Sequence, residues 1–280
     1  MQRGSQTGTL YLVSTPIGNL GDITVRAIDT LKKVPLILAE DTRHSRTLLR
    51  HFDVAGRVES YHEHNESETT PRVIAVLSQG EDVALISDAG TPLLSDPGHR
   101  LVRAAIDAGI RVVPIPGASA LLAALVGSGL DTTNFTFLGF LARKGAERTR
   151  MLRSLSDLPH TAVLYEAPTR LSATLKDLED AGCGDRGVVV ARELTKQFEE
   201  FRRGTVRDLA QYYAMSPPKG EVVILLAGVE AKPGVTEAEL EVIARELRAQ
   251  GISSREVAAV LQQAHGASRN VAYRLAHDRS

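Results

Sequence analysis

The stretch "ALISDAGTPLLSDPG", residues 84–98, joins an apolar run to a polar loop that contains glycine. The apolar residues predict a strand and the residues after Pro97 have a helical pattern. Loops of this kind hold small molecules in many α/β folds. Asp88 and Thr91 supply a carboxylate and a hydroxyl, and small Ala89 and Gly90 leave backbone amides accessible. The loop suits a ligand with a ribose, a zwitterionic amino acid and a base, although an ordinary strand-to-helix turn uses the same residue types.

Other well-defined ligand motifs are absent from the sequence. The phosphate-binding pattern G-x-x-x-x-G-K-[ST] does not occur, and neither G-x-G-x-x-G nor G-x-S-x-G follows a predicted strand. In "YHEHNE", His62 and His64 flank Glu63, but no third ligand lies at a set spacing. We therefore expect no metal site and interpret this segment as a hydrated loop or a polar contact loop.

Composition restricts the class of protein. The 280 residues are 43% apolar, carry a formal net charge of -1 and include one cysteine, Cys183. An internal disulfide is impossible, and no global basic field indicates nucleic acid, so RNA binding would depend on local patches. The segment "MQRGSQTGTL" lacks the apolar core of a signal peptide. These features predict a cytoplasmic protein.

Residues 1–117 alternate apolar strands with helices, which predicts a mostly parallel α/β sheet. We predict strands at 10–14, 36–40, 83–87 and 111–117, and helices at 25–33, 45–51, 71–79 and 98–108. Pro71 is expected at the first turn of its helix.

Residues 118–230 predict a second α/β domain with a mixed sheet, because several strands are separated by short loops. The expected strands are 134–140, 161–167, 187–195 and 221–228, and the expected helices are 146–155, 170–181 and 207–213. Behind a linker at 230–239, residues 235–280 predict a domain of three short helices. This domain is either a packing unit or a helix-turn-helix RNA clamp.

Eight segments in order resemble the tetrapyrrole methylase superfamily, the class III S-adenosylmethionine-dependent methyltransferases. They are "LYLVSTPIGNLGDIT", "AEDTRHS", "YHEHNE", "LISDAGTPLLSDPG", "PIPGASA", "LYEAPTR", "RELTKQFEE" and "GEVVILLAG". Within that superfamily, the chain is most similar to the branch that methylates a cytidine 2′-hydroxyl in 16S rRNA. The resemblance implies two α/β domains with S-adenosylmethionine in the cleft between them, plus an appended helical domain.

The resemblance also implies which residues contact the cofactor. "AGTPLL" takes the place of the superfamily's Gly-Gly-Asp-Pro loop, with Thr91 where an aspartate is common and Asp88 as its replacement charge. The full set implied is Pro16, Asp88, Ala89, Gly90, Thr91, Leu94, Ser119, Ala120, Glu166 and Leu194.

A ribose 2′-hydroxyl is a poor nucleophile and needs a base or a stabilising cation. We take Lys196 and Glu193 of "RELTK" as the leading catalytic candidates, with a Lys196 pKa lowered by the neighbouring Arg192. A surface ion-pair cluster is the plainer interpretation of the same residues. Further candidates are Glu166 and, in "AEDTR", Glu40, Asp41 and Arg43.

Clusters of cations could bind RNA phosphates, although each could also be an ordinary solvated surface. The candidates are Arg43, Arg46, Arg143, Lys144, Arg148, Arg202 and Arg203.

Three functions stay open at this stage. The first is an rRNA 2′-O-methyltransferase that acts on 16S rRNA, as free RNA or within the 30S subunit, and works as a homodimer as members of the superfamily commonly do. The second is a methylase of a tetrapyrrole precursor, which would leave the arginines and the helical domain without a role. The third is a non-catalytic RNA-binding protein.

Overall fold

The computed structural model describes residues 7–229 and 236–277. The chain forms two compact units, residues 1–229 and 230–280, and the first contains two five-stranded sheets. The predicted domain limits at 230 and 235, and residues 230–235 of the predicted linker, lie outside the described residues. The division at 117/118 falls between the two sheets and stays a prediction. The predicted architecture of two α/β sheets followed by helices is confirmed.

The first sheet is entirely parallel, as predicted, with the order β3-β2-β4-β1-β5. Its strands are β1 (Thr9–Val13), β2 (Leu36–Ala39), β3 (Arg57–Ser60), β4 (Val83–Ile86) and β5 (Arg111–Ile115). The inner strands β2 and β4 are buried along their whole length, as continuous apolar runs in parallel sheets usually are. The connecting helices are α1 (Val25–Lys33), α2 (Thr42–His51), α3 (Glu66–Ser78), α4 (His99–Asp107) and α5 (Ala120–Ser128).

Two predictions in this half are wrong. Strand β3 was not expected, because its residues, "RVES", are partly exposed and charged, as edge strands often are. The helix predicted from Pro71 begins at Glu66, so Pro71 lies inside α3 rather than in its first turn. Proline usually destabilises a helix interior, and here the buried Val73 and Leu77 hold α3 against the sheet.

The second sheet is mixed, as predicted, with the order β6-β7-β10-β8-β9. Its strands are β6 (Phe135–Phe140), β7 (Thr161–Glu166), β8 (Gly187–Arg192), β9 (Glu200–Thr205) and β10 (Val222–Leu226). Only β6 and β7 pair in parallel. Strand β9, "EFRRGT", was not expected either, and it is again a charged edge strand. The helices are α6 (Gly145–Ser156), α7 (Leu171–Leu178) and α8 (Val206–Met215).

The second unit contains the three predicted helices, α9 (Glu237–Ala249), α10 (Ser254–His265) and α11 (Arg269–His277). Capping boxes begin α9 at Thr236 and α10 at Ser253, which satisfies backbone donors that the first turn leaves unpaired. Its small core includes Leu240, Val257, Leu261 and Leu275. No helix in 7–229 or 236–277 is long and apolar enough to cross a membrane.

Candidate functional site

The carboxyl ends of the five parallel strands bring distant parts of the chain to one edge of the first sheet. Ala39 of β2 is level with Ser60 of β3 and with Ile86 of β4. The residues that follow these strand ends, Glu40, His62 and Asp88, are therefore neighbours in space.

The loop after β4 is fixed by hydrogen bonds to its neighbours. Gly90 and Thr15 exchange two backbone hydrogen bonds, of 2.8 and 3.0 Å. The Thr91 hydroxyl donates to the Ala118 carbonyl at 3.1 Å. The backbone N–H of Asp41 donates to Asp88 Oδ1 at 3.0 Å, which ties the loop to the end of β2. These hydrogen bonds join the loop to the ends of β1 and β2 and to the segment before α5.

Gly90 has a physical reason to be glycine. Its φ is +82°, a conformation that side chains disfavour, and an added Cβ would lie 3.2 Å from Ile17 Cγ2. The small residue lets the loop approach Ile17 closely and leaves room above it.

A cavity of about 270 Å³ lies over this loop and between the two sheets of the first unit. Seven of the ten predicted cofactor residues line it: Asp88, Ala89, Gly90, Thr91, Leu94, Ala120 and Leu194. The sequence interpretation missed its other lining residues: Ile17, Ser95, Asp96, Phe140, Tyr165, Glu221, Val222 and Val223. Asp96 and Tyr165 lie inside the quoted segments "LISDAGTPLLSDPG" and "LYEAPTR", so closer attention to those segments would have suggested them.

Two strained loops direct leucines toward the cavity from opposite sides. Leu93 and Ser95, on either side of Leu94, both have a φ of 71°. On the second sheet, Glu193 and Thr195 flank Leu194 with φ values of 51° and 65°. Non-glycine residues rarely adopt positive φ, and such strain is concentrated at functional sites.

Three predicted cofactor residues do not line this cavity. Pro16 borders a separate hollow with His44 and Leu48. Ser119 caps α5, with its hydroxyl accepting from the Leu122 N–H at 3.5 Å.

Glu166 is the third of these residues, and its carboxylate is committed to the second sheet's own structure. It is 3% exposed. It accepts hydrogen bonds from the Ala167 N–H at 2.8 Å and the Thr174 hydroxyl at 2.6 Å, and it pairs with Arg170 at 3.3 Å. These partners account for a buried carboxylate without a ligand, so the structure gives no support to Glu166 as a cofactor contact or base.

The expected lowering of the Lys196 pKa is wrong in direction. Burial would lower the pKa of this ammonium, but hydrogen bonds to Glu193 and Glu221 outweigh burial and raise it. Lys196 Nζ lies 2.9 Å from Glu193 Oε1 and 3.1 Å from Glu221 Oε2. Arg192, the expected cationic neighbour, instead pairs with Glu200 at 3.2 Å. A lysine held between two carboxylates remains protonated and is not a base at neutral pH.

Asp96 has an unusual environment at one end of the cavity. Burial, followed by the charge of Glu40, raises the pKa of its carboxyl to about 6, against a hydrogen bond from Ser87 that lowers it. Perturbed carboxyls of this kind are concentrated at functional sites.

A larger groove of about 1030 Å³ adjoins the cavity, because Ser95 and Asp96 line both. Its remaining lining is mostly polar and comprises Glu40, His62, Glu63, His64, Glu66, Pro97, Gly98, His99, Arg100, Arg103, Ala104 and Asp107. The "YHEHNE" segment therefore borders this groove. Among the residues that the structure describes, no three His, Cys, Asp or Glu side chains are grouped so as to hold a metal ion.

The predicted RNA-binding cations fall into two groups. Arg46, Arg143 and Lys144 are exposed, as is Arg43, which pairs with Asp41 at 2.9 Å.

The other three cations are engaged within the second sheet's domain. Arg202 pairs with Glu200 and stacks 3.9 Å from the Tyr212 ring centroid. Arg203 donates to the carbonyls of Ser128 and Gly127 at the end of α5, at 2.9 and 2.5 Å.

Arg148 makes the most extensive contacts of the seven predicted RNA-binding cations. Its side chain is 12% exposed, and it binds Asp177, Thr174 and the Ala142 carbonyl. These contacts give Arg148 a structural role and leave little of its guanidinium for a phosphate.

A family model described as Tetrapyrrole (Corrin/Porphyrin) Methylases matches residues 9–210, which include the whole first sheet, four of the five strands of the second sheet and the start of α8. The chain therefore belongs to the tetrapyrrole methylase family of S-adenosylmethionine-dependent methyltransferases. A uroporphyrin-III C-methyltransferase from Thermus thermophilus, solved with S-adenosyl homocysteine, matches 79% of this chain and 97% of its own, at 20% identity and a TM-score of 0.57. Diphthine synthase matches 79% of this chain and 90% of its own, at 16% identity and a TM-score of 0.59. These likenesses establish the fold.

More similar relatives bear one particular name, ribosomal RNA small subunit methyltransferase I. The Synechocystis protein is 47% identical over 270 residues, 96% of this chain and 97% of its own length. That of Pseudomonas aeruginosa is 45% identical over 97% of this chain and 98% of its own length. The Mesorhizobium japonicum protein is 53% identical over 80% of this chain and 76% of its own length. These similarities support rRNA methylation, and the Synechocystis and Pseudomonas aeruginosa matches are long enough to include most of the C-terminal unit.

Proposed function

We propose that this chain transfers a methyl group from S-adenosylmethionine to the ribose 2′-hydroxyl of a cytidine in 16S rRNA, in the decoding region of the small subunit. The observation that carries the proposal is the 47% identity with the Synechocystis protein over 96% of this chain. We further propose a cytoplasmic homodimer that acts on the rRNA within the 30S subunit.

The cavity has the chemistry that S-adenosylmethionine requires. Ile17, Leu94 and Val223 provide apolar walls for a planar base, while Asp88 and Asp96 provide carboxylates for hydroxyls and a cation. The missing Cβ of Gly90 leaves room for a ligand against the loop backbone. When bound, the cofactor supplies an electrophilic methyl group on a sulfonium.

The protein's contribution to such a transfer is alignment and the exclusion of water. The loop tied down through Thr15, Thr91 and Asp88 presents a rigid surface to one face of the ligand. Leu194, held by its strained neighbours, closes the opposite face. The polar groove that meets the cavity at Asp96 gives a nucleotide a route to the methyl group.

Exposed cations suit an RNA substrate better than a small one. Arg43, Arg46, Arg143 and Lys144 are exposed, as phosphate contacts require.

Labelled S-adenosylmethionine tests the proposal, with undermodified 30S subunits, free 16S rRNA and a porphyrinogen offered in parallel. We expect label in rRNA at one alkali-resistant ribose linkage, with 30S subunits the better substrate. Label in the porphyrinogen alone would replace this proposal with tetrapyrrole methylation. Cofactor binding without transfer to any substrate would refute the proposed substrate.

A further inference from the structure

We infer that Glu40 is the general base that takes the proton from the ribose 2′-hydroxyl during methyl transfer. The inference deepens the proposed function and rests on it. It depends on where Glu40 lies, on what its neighbours do and on the commitments of the other candidate bases.

Glu40 lies at the right place in the sheet. It directly follows β2, and the Tyr61 N–H donates to the Ala39 carbonyl at 2.8 Å, so the chain after β3 runs beside it. On the other side, the Asp41 N–H is bonded to Asp88 of the cofactor loop. Glu40 thus lies between the loop under the cavity and the segment that borders the groove.

The cavity and the groove differ in which of two nearby carboxyls, Asp96 and Glu40, they expose to a ligand. Asp96 lines both the cavity and the groove, whereas Glu40 lines the groove alone. A ligand in the cavity meets Asp96 but not Glu40, whereas a nucleotide in the groove meets both. The hydroxyl that attacks the methyl group must come from the groove side, where Glu40 is available to it.

The acidic and basic candidates named from the sequence are committed elsewhere. Hydrogen bonds from Arg43 lower the pKa of Asp41 to about 2, which makes it a weak base. Lys196 and Glu193 are paired with each other, and Glu166 is buried among its own partners. Among the side chains that line the groove, Glu66 pairs with Arg100 and Asp107 with Arg103, both at 3.2 Å.

The electrostatic surroundings strengthen Glu40 as a proton acceptor. Burial and the negative charges of Asp88 and Glu63 raise its pKa, while the nearby His62 offsets part of the rise. A carboxylate whose pKa is raised toward neutrality holds a transferred proton better than an ordinary one. The charged and titratable groups that face Glu40 or line the same groove are Asp41, His62, Glu63, His64, Glu66, Asp88, Asp96, His99, Arg100, Arg103 and Asp107.

The step balances in atoms and charge. The 2′-oxygen forms a bond to the methyl carbon as the carbon–sulfur bond breaks, and the electron pair of that bond remains on sulfur. The hydroxyl proton passes to the Glu40 carboxylate, which later releases it to solvent. The products are a 2′-O-methyl ribose and a neutral thioether.

The variant Glu40→Gln tests the inference, because it keeps the shape and removes the base. We expect its kcat on 30S subunits to fall at least about 100-fold, the lower range for loss of a general base, with its Kd for S-adenosylmethionine within about twofold of wild type. The wild-type rate should rise tenfold per pH unit at pH values below the Glu40 pKa and become constant above it. The Glu40→Gln rate should not show this rise with pH. Glu68→Gln, which removes an exposed carboxylate of α3 that lines neither the cavity nor the groove, is the matched control and should keep both rate and profile.

A second variant guards against misfolding. Glu40→Ala should be inactive but regain activity with added formate or acetate, which act as the missing carboxylate. A Glu40→Gln rate within about threefold of wild type would overturn the inference, and so would a loss of cofactor affinity large enough to explain the lost activity. In either case the proposed function would still stand if the wild-type protein methylates the ribose. Absence of ribose methylation by the wild type would overturn both.

Discussion

Protonation of Asp96 is expected to weaken cofactor binding in a predictable way. Its carboxyl lines the cavity and has a pKa of about 6, so it is mostly ionised at pH 7 and mostly protonated at pH 5. For a pKa of about 6 the ionised fraction falls from about 90% to about 10% over this range. Because a sulfonium cofactor is attracted by the ionised form, its Kd should rise about tenfold, which corresponds to about 1.4 kcal/mol.

Isothermal titration calorimetry with S-adenosylmethionine at pH 7, 6 and 5, at constant ionic strength, measures this change. Asp96→Asn keeps the shape of the side chain, and it should bind weakly at pH 7 with little further loss at pH 5. Glu63→Gln should retain the tenfold change, since Glu63 lines the groove but not the cavity. In Glu40→Gln the midpoint should move to lower pH, because the charge of Glu40 helps to raise the Asp96 pKa.

The same carboxyl makes a prediction about the stability of the ligand-free protein. A folded-state pKa raised from 3.8 to about 6 favours the protonated form, so the stability that this group contributes is present below pH 4 and is lost as the pH rises through 6. Asp96→Asn should therefore raise the thermal unfolding temperature at pH 7 and leave it unchanged at pH 4. A wild-type Kd that is flat from pH 7 to 5, or an Asp96→Asn variant with the full wild-type dependence, would refute the reasoning.

Four further predictions follow from the surroundings of particular residues. Arg148→Ala should lower the free energy of unfolding by about 2 kcal/mol through its lost charged hydrogen bonds, measured by urea denaturation. Lys144→Ala should leave stability unchanged but weaken RNA binding and reduce its salt dependence by about one counterion; equal loss of stability in both variants would contradict this. Gly90→Val should abolish cofactor binding in calorimetry, because its φ of +82° and the close Ile17 leave no place for a side chain. Val126→Glu should convert the proposed dimer to a monomer in sedimentation, since Val126 is 74% exposed on apolar α5; an unchanged dimer would exclude this face.

The two strands that the sequence did not predict, β3 and β9, are both edge strands. An inner strand is buried on both faces and is recognisable as an apolar run, as in β4 and β10. An edge strand carries charges that discourage pairing with other chains, and "RVES" and "EFRRGT" therefore resemble loops. Their strand conformation is determined by the neighbour they pair with, which is a tertiary fact that local composition does not contain.

The loop after β4 could be placed at a cavity from the sequence because its residues are close together in the chain. Asp88, Ala89, Gly90, Thr91 and Leu94 are nearly consecutive, so one turn brings them to one cavity. Of the residues proposed from more distant segments, Ala120 and Leu194 line the same cavity, whereas Pro16, Ser119 and Glu166 do not. Glu166 is the last residue of the apolar strand β7, where a ligand residue would be expected, but Thr174, eight positions later in the chain, binds its carboxylate.

Charge sign alone also misled the choice of base. Arg192, just before "ELTK", would lower the pKa of Lys196 only if the two side chains were in contact. The Arg192 side chain, at the end of β8, instead pairs with Glu200. Lys196 meets Glu221, which is 25 residues away along the chain and lies just before the neighbouring strand β10. Which charges face each other is decided by strand pairing, and the sequence carries that information only indirectly.

The topology of the first sheet explains why a base can be sought at Glu40. Strand β4 inserts between β1 and β2, so the loop that lines the cofactor cavity lies beside the residue that ends β2. Glu40 and Asp96 are far apart in sequence, yet the charge of one raises the pKa of the other. The cavity, which suits a cationic ligand, and the groove, which contains the Glu40 carboxyl with its raised pKa, therefore meet at one edge of the sheet. Methyl transfer to a hydroxyl needs this arrangement, because the sulfonium lies on one side of the methyl carbon and the attacking oxygen on the other. The positive charge must be stabilised on the first side and the hydroxyl proton accepted on the second.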